Sequence, residues 1–492
     1  MTGQSTRLRE DLAAVRDAAF AAVRPERLVA DRLGIVVGEL LVDGRPLAPP
    51  LAVGRGRIAI VGGGKAAAGM AAGLVDVLAA GGVAAQRITG VVSVPGGSGR
   101  RLGGVEIRAT RPPAENLPTP AVVAATREML ALVATLGPED LAVAVVSGGG
   151  SALVAAPRQG ITLEDKIAVT RFLSGAAADI TELNIVRQAA SDVKGGGLAR
   201  ACTAGRLLVL VLSDVIGDPL GVIASGPCMP VAAPAAAALA VLERFGALDV
   251  APTFTAMLRA EAPRAESTAA PADRSTTGAC TGSWTTPQGC RVEHVLLGTN
   301  ATAVEAAAQA AERLGYEVTI RPAAPGTSEP AEHVGRRLAR EGLALVEATR
   351  ADGRPRAIIE GGEAVVQLPA DHGSGGRNQQ TVAAALADRL VSGACWPPNL
   401  LVASLGTDGE DGPTAAAGGL ADAGVADRTQ ALGLDVASAV ARCDALPLLE
   451  ATGGLVITGP TGTNVADVRI VLVRPAAGGP PRSPGPGMAR RS

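Results

Sequence analysis

The sequence predicts an α/β protein: an N-terminal Rossmann-like, mainly parallel sheet with flanking helices, followed by a second α/β domain. Three observations point there. Short aliphatic runs end in glycine-rich or acidic turns and lead into alanine-rich helices, the rhythm of right-handed βαβ crossovers. The chain is 47% hydrophobic yet holds only four Phe, two Trp and one Tyr, so its core must be built from Ala, Val, Leu and Ile, with 63 glycines for tight strand-to-helix turns. At 492 residues it has room for two or three domains of roughly 100–200 residues.

Taken in order, residues 6–42 carry a helical period (Leu8, Leu12, Val15, Ala19, Val23, then Leu28, Val29, Leu33) broken at Pro25, which reads as two opening helices. Strands are expected at 58–61, running into Gly62-Gly-Gly-Lys65, at 88–94, at 141–146 into Ser147-Gly-Gly-Gly-Ser151, and at 207–212 into Ser213-Asp214. Between 251 and 290 the pattern dissolves into Pro, Ala, Ser, Thr and Gly, and is taken as a linker or insertion. Order resumes with a strand at 292–297, the turn Gly298-Thr-Asn300, a helix over 301–314 and strands at 318–320 and 357–360. The expected organisation is therefore a first domain over 1–250, the linker, a second domain over 291–474, and a disordered Pro-, Gly- and Arg-rich tail over 475–492.

Composition excludes several functions. Forty-five Lys and Arg balance 47 Asp and Glu for a net charge of −2, without the basic face that nucleic-acid binding needs. Aromatic residues for stacking bases or anchoring at a membrane are nearly absent. The aliphatic run 207–212 is far short of the ~20 residues that span a bilayer, and the N-terminal segment has acids where a signal peptide needs an apolar run. Six scattered cysteines without a Cys-x-x-Cys pair, and three unclustered histidines, argue against structural zinc and for a reduced, cytoplasmic setting.

Chemistry is expected at the glycine turns. Gly62, Gly63 and Gly64 expose backbone N–H groups at a helix start beside the Lys65 ammonium, which suits an anion; the bland alternative is a packing turn with a solvated lysine. The segment is not a Walker A loop, because Ala66 follows the lysine. As a Gly-x-Gly-x-x-Ala dinucleotide fingerprint it lacks the ribose-binding acid after the next strand. Ser147, Gly148, Gly149, Gly150 and Ser151 could wrap a polyphosphate or form an ordinary tight turn. Asp214 and Asp408 each follow an aliphatic strand, where an acid can bind Mg²⁺, deprotonate a hydroxyl or simply cap a helix. Arg377, between Gly376 and Asn378, offers a fork for carboxylate or phosphate, or a structural ion pair.

Nine ordered blocks together resemble the class II glycerate 2-kinases, whose C-terminal half is the MOFRL domain and which often carry the label putative hydroxypyruvate reductase. They are VGGGKAAAGMA (61–71), VSGGGSALVAAP (146–157), ITLEDKIAVTRFLSGAAADITELNIVRQAASDVKGGGLA (161–199), LSDVIGDPLGVIASGP (212–227), GTNATAVEAA (298–307), IIEGGEAVV (358–366), GGRNQQ (375–380), GTDGEDGPTAAAGG (406–419) and TGPTGTNVADVRIVLV (458–473). The resemblance implies transfer of the γ-phosphate of ATP to the 2-hydroxyl of glycerate. It places the family's active-site lysine, two aspartates and arginine on Lys65, Asp214, Asp408 and Arg377, with Mg²⁺ on Asp214 and Asp408. Asn300 joins the glycine turns as a nucleotide-binding candidate. The partners implied are ATP and a small hydroxy acid, with no nucleic acid and no membrane, and with room for a homo-oligomer.

The chain also departs from the family pattern. Arg111 and Ala189 stand where relatives carry His, and Pro219 and Ala415 where they carry an acid. A site so altered is expected to use glycerate less well and a longer sugar acid equally or better. The competing readings are an NAD(P)-dependent hydroxypyruvate reductase and a nucleotide-binding homologue with impaired catalysis.

Overall fold

Ile58–Gly63 is the centre of an eight-stranded sheet, and its residues are all buried, as a strand covered on both faces requires. Leu141–Ser147 and Ile88–Pro95 flank it in parallel. Val105–Arg111 lies outside Ile88–Pro95, while Arg206–Leu212 and Arg291–Gly298 extend the other side, again all parallel. Numbered along the chain, these six strands run 3-2-1-4-5-6 across the sheet, the doubly wound order in which direction of winding reverses between the first and fourth strands. Two short antiparallel strands, Arg100–Leu102 and Ser283–Thr285, close the edges. Arg100–Leu102 also does the work of a crossover: the chain leaves Ile88–Pro95, runs back along the edge and turns into Val105–Arg111 without a helix.

The computed structural model describes residues 3–47, 55–112, 117–230, 235–265, 283–326 and 329–476. By its internal contacts the described chain forms two units, residues 23–299 with 462–465, and residues 3–22 with 300–461 and 466–476. The division differs from the boundaries expected at 250 and 290. Pro252–Ala265 is a helix, with Phe254 and Leu258 in a helical core beside Val169, Leu173 and Leu242. Ser283–Thr285 belongs to the sheet. Ala and Thr on the helix resemble linker composition, and the strand is only three residues long, too short for a period-2 pattern to show. Residues 266–282, and nearly all of the expected tail, lie outside the described residues.

The opening helices are Gly3–Ala22 and Pro25–Arg32, the second with Pro25 at its start, where the missing N–H is not needed. The helical period does not continue to 42, however. Leu33–Val36, Glu39–Val42 and Arg45–Pro46 form a small antiparallel sheet, because Val37-Gly38 and Asp43-Gly44 take positive φ and make tight hairpin turns.

The other unit has a six-stranded sheet in the order Glu317–Arg321, Arg356–Gly362, Asp467–Val473, Leu400–Gly406, Gly418–Ala421, Leu455–Val456. Only its first pair is parallel. The buried face of Arg377–Leu390, which runs Val382 to Leu386 without a break, packs against this sheet, as do Ala331–Asp352 and Asn300–Arg313.

Candidate functional site

In the doubly wound unit, strand register decides which turns meet. Gly63 pairs with Val146, and Ser147 with Leu212, so the Lys65 turn, the Ser147–Ser151 turn and Asp214 leave the sheet at one level. Lys65 N donates to Gly148 O at 2.8 Å, and Ser147 Oγ accepts from Ala66 N at 3.1 Å, binding the two turns together. Ser147 is fully buried in this role. The Lys65 stem passes over Gly149, with its Cγ 3.5 Å from where a Cβ would stand, and the residue itself is half-buried. A Cβ at Gly148 would lie 2.1 Å from Asp214 Oδ2, so only glycine lets this turn close against the aspartate. Asp214 also accepts from Asn464 Nδ2 at 3.0 Å. Lys65, the glycine turn and Asp214 are thus one constellation at the point where the sheet reverses its winding. Ser151 bonds to Ser225 Oγ at 3.0 Å, and Ser225 Oγ in turn donates to Asn184.

In the other unit, Gly362 and Gly406 both pair with Asp467 across three adjacent strands. The residues that follow them, Glu363 and Thr407-Asp408, therefore emerge at the same sheet edge. Arg377, the first residue of its helix, donates from Nε to Asp467 Oδ2 at 2.7 Å, from Nη2 to Asp467 Oδ1 at 2.9 Å, and from Nη1 to Glu363 Oε1 at 2.7 Å. Burial opposes its charge, but these carboxylates prevail and hold the guanidinium ionised. Burial pushes Glu363 up, with the charges of Asp467 and Asp408 adding to it. Asp411 caps the helix from a separate loop, accepting from Asn378 N at 3.0 Å and Gln379 N at 2.8 Å. A Cβ at Gly376 would lie 2.3 Å from its Cγ, which fixes glycine there. Burial raises Asp411 to about 6 in spite of those N–H bonds. Asp408 Oδ1 accepts from Glu410 N at 3.1 Å, and its backbone oxygen accepts from Thr461 N. Asn300 is buried in the fold, with Nδ2 donating to Asp467 O at 2.9 Å.

Each unit accordingly joins two of the four expected residues, Lys65 with Asp214 and Arg377 with Asp408. Sequence reasoning missed Asp467, Glu363 and Asp411. Asp467 lies within the 458–473 block, where an acid opens a strand whose other residues are aliphatic apart from Arg469.

A family model described as a domain of unknown function, DUF4147, matches residues 11–259, and that of the MOFRL family matches 356–467. Human glycerate kinase is 34% identical over 471 residues, covering 86% of this chain and 85% of its own. A putative hydroxypyruvate reductase of Agrobacterium vitis is 33% identical, covering 96% of both chains. The chain belongs to the class II glycerate 2-kinase family. A crystal structure of glycerate kinase from Thermotoga maritima superposes with a TM-score of 0.74 at 31% identity, over 95% of this chain and all of that one. Among the family departures, Arg111 is buried at the end of the Val105–Arg111 strand and Ala189 is packed in the helical core, whereas Pro219 and Ala415 are exposed. Residues 113–116 of the departing motif lie outside the described residues.

Proposed function

We propose that the protein transfers the γ-phosphoryl group of ATP to the 2-hydroxyl of D-glycerate, giving ADP and 2-phosphoglycerate. The observation that carries the reading is the meeting of Lys65, the Ser147–Ser151 turn and Asp214 at the winding reversal of a 3-2-1-4-5-6 sheet, where such folds bind their ligands. Phosphoryl transfer asks a protein mainly for positioning and charge neutralisation. In this reading the Lys65 ammonium draws in the phosphoryl oxygens, and the N–H groups of 148–151 orient them. Arg377, braced by Asp467 and Glu363, presents a fixed fork to an anion. One of Asp214 and Asp408 accepts the 2-hydroxyl proton as the new O–P bond forms and the bond to ADP breaks.

The other aspartate would hold Mg²⁺. The described residues contain no group of three or more His, Cys, Asp or Glu arranged for a metal, and isolated carboxylates are what Mg²⁺ uses when substrate phosphates supply further ligands. When bound, the ion neutralises charge on the phosphate chain. A reducing, cytoplasmic compartment fits the five described cysteines, all free. No helix among the described residues is long and apolar enough to cross a membrane.

The test is phosphorus NMR of the products from D-glycerate, ATP and Mg²⁺. The expected product is 2-phosphoglycerate. Formation of 3-phosphoglycerate alone would overturn the regiochemistry, and hydroxypyruvate-dependent NADH oxidation without an ATP-dependent product would overturn the kinase. A panel of longer sugar acids tests the departures. If Arg111, Ala189 and Ala415 bear on the acceptor, glycerate leads the panel by less than about tenfold in kcat/KM, roughly 1.4 kcal/mol.

A further inference from the structure

The doubly wound unit carries three cations that the chemistry above does not use. Lys166, Arg187 and Lys194 line a cavity of about 200 Å³ together with Gly149, Ser151 and Thr170. Lys166 stands on the buried face of Leu163–Gly175 with Val169 and Leu173, Arg187 near the end of Ile180–Ala189, and Lys194 just before a run of three glycines. Lys194 is 2% exposed, and its Nζ donates to Ser151 O at 3.0 Å and Ala224 O at 3.2 Å. Lys166 Nζ donates to Arg187 O at 3.2 Å. Among the described residues none of the three forms an ion pair with a carboxylate. The exposed Asp192 is the acid whose charge reaches Lys166. Burial first, and then the Arg187 charge, push Lys166 down to about 7. Burial and the other two cations push Lys194 down as well. Like charges buried close together oppose folding, and an anion entering the cavity would lessen that opposition.

We propose that this cavity binds the carboxylate of the hydroxy-acid acceptor, with Lys166 and Arg187 as its ligands and Lys194 holding the wall formed by Ser151. The assignment rests on the phosphotransfer reading and names the acceptor subsite within it. Size separates the anions on offer: about 200 Å³ lies below the ~300–1,000 Å³ of pockets that enclose larger ligands, so it takes a three- or four-carbon acid and not a nucleoside triphosphate. The guanidinium fork of Arg187 matches a carboxylate. Location agrees, because the cavity wall at Gly149 and Ser151 is the same turn that the Lys65 stem crosses.

The experiment is calorimetric titration of D-glycerate into the full-length protein at pH 7 without ATP, in two buffers of different ionisation enthalpy. Binding with net proton uptake is expected, because a bound carboxylate raises Lys166 toward its ordinary value. Lys166→Met should abolish the uptake, and both Lys166→Met and Arg187→Gln should raise Kd and KM for glycerate by at least about tenfold with KM for ATP within about twofold of wild type. Circular dichroism reports folding, and if Lys166→Met fails to fold, the half-buried Arg187 supplies the affinity readouts alone. Lost ATP affinity with glycerate binding intact would hand the cavity to a phosphate and overturn the assignment. Unchanged affinity for both ligands in folded variants would also overturn it. A wild-type protein that binds D-glycerate in a Lys166- and Arg187-dependent way but phosphorylates no hydroxy acid would leave the site standing and sink the kinase reading.

Discussion

Lys65 and Asp411 show the two ways in which single residues of this protein carry charge. Lys65 stands half-buried over a glycine turn, and loss of a preorganised charge-stabilising donor typically costs ~2.7–4 kcal/mol of transition-state stabilisation. Lys65→Ala should therefore lower kcat by at least about 10²-fold with the fold intact, and Lys65→Arg should not restore it, since a guanidinium is not a compact point charge. Near wild-type turnover in Lys65→Ala would remove the residue from the chemistry. Asp411 is held at about 6 by burial, above an unfolded value of ~3.9, so the folded state binds the proton more tightly. Its contribution to stability is present below pH ~4 and falls as pH rises toward 6. A carboxyl-carbon NMR titration of Asp411 should give a midpoint near 6, and Asp411→Asn should flatten the stability profile between pH 4 and 6. A midpoint at or below 4 would mean that the helix N–H bonds outweigh burial. Lys65, Asp214, Arg377 and Asp408 could be picked out in the sequence because each stands at the mouth of a glycine or strand-end turn. Lys166 could have been found as a cation at the buried position of a Lys166, Val169, Leu173 stripe. Asp467 and Glu363 could not be tied to Arg377, because their meeting depends on antiparallel register between strands about a hundred residues apart.

Elements were legible where hydrophobic runs were pure and illegible where small residues predominated. The expected strands at 58–61, 141–146 and 207–212 lie within Ile58–Gly63, Leu141–Ser147 and Arg206–Leu212. Each is buried along its length, so aliphatic composition alone marks it. The hairpins of residues 33–46 were masked by leucines and valines that also fit a helical period, although Asp43-Gly44 is a hairpin signal. Pro252–Ala265 was masked by alanines, yet Phe254 is 1% exposed within the helical core. Phe254→Ala should destabilise this unit by about 3–5 kcal/mol, read by urea denaturation followed at tryptophan or far-UV signal. A change below about 0.5 kcal/mol, the scale of a surface substitution, would return the segment to the status of a linker.

At the scale of the whole chain, the unit that contains Arg377 is assembled from both ends of the sequence, with residues 3–22 and 466–476 joined to 300–461. Gly3–Ala22 packs against Asn300–Arg313 and against the strands Leu400–Gly406 and Asp467–Val473. Leu8, Leu12 and Val15 are buried there, and full burial of such side chains is worth about 1.5–3 kcal/mol each. Polar contacts fix the register of the helix: Arg9 bonds both oxygens of Asp422, at 2.7 Å and 3.0 Å, and Asp11 accepts from Tyr316 at 2.6 Å and from Arg474 at 2.5 Å. Three apolar side chains alone sum to roughly 5–9 kcal/mol, as much as the net stability of many whole domains, ~5–15 kcal/mol. A fragment of residues 300–476 should therefore fail to unfold cooperatively when expressed alone. The same fragment should fold when residues 3–22 are fused to it through a flexible glycine–serine linker. Removing Leu8 and Leu12 together as alanines from the fusion should abolish the rescue, since about 2–5 kcal/mol per site exceeds what the unit can spare. A cooperative thermal transition in the 300–476 fragment on its own would show that the N-terminal helix merely covers a core that already stands without it.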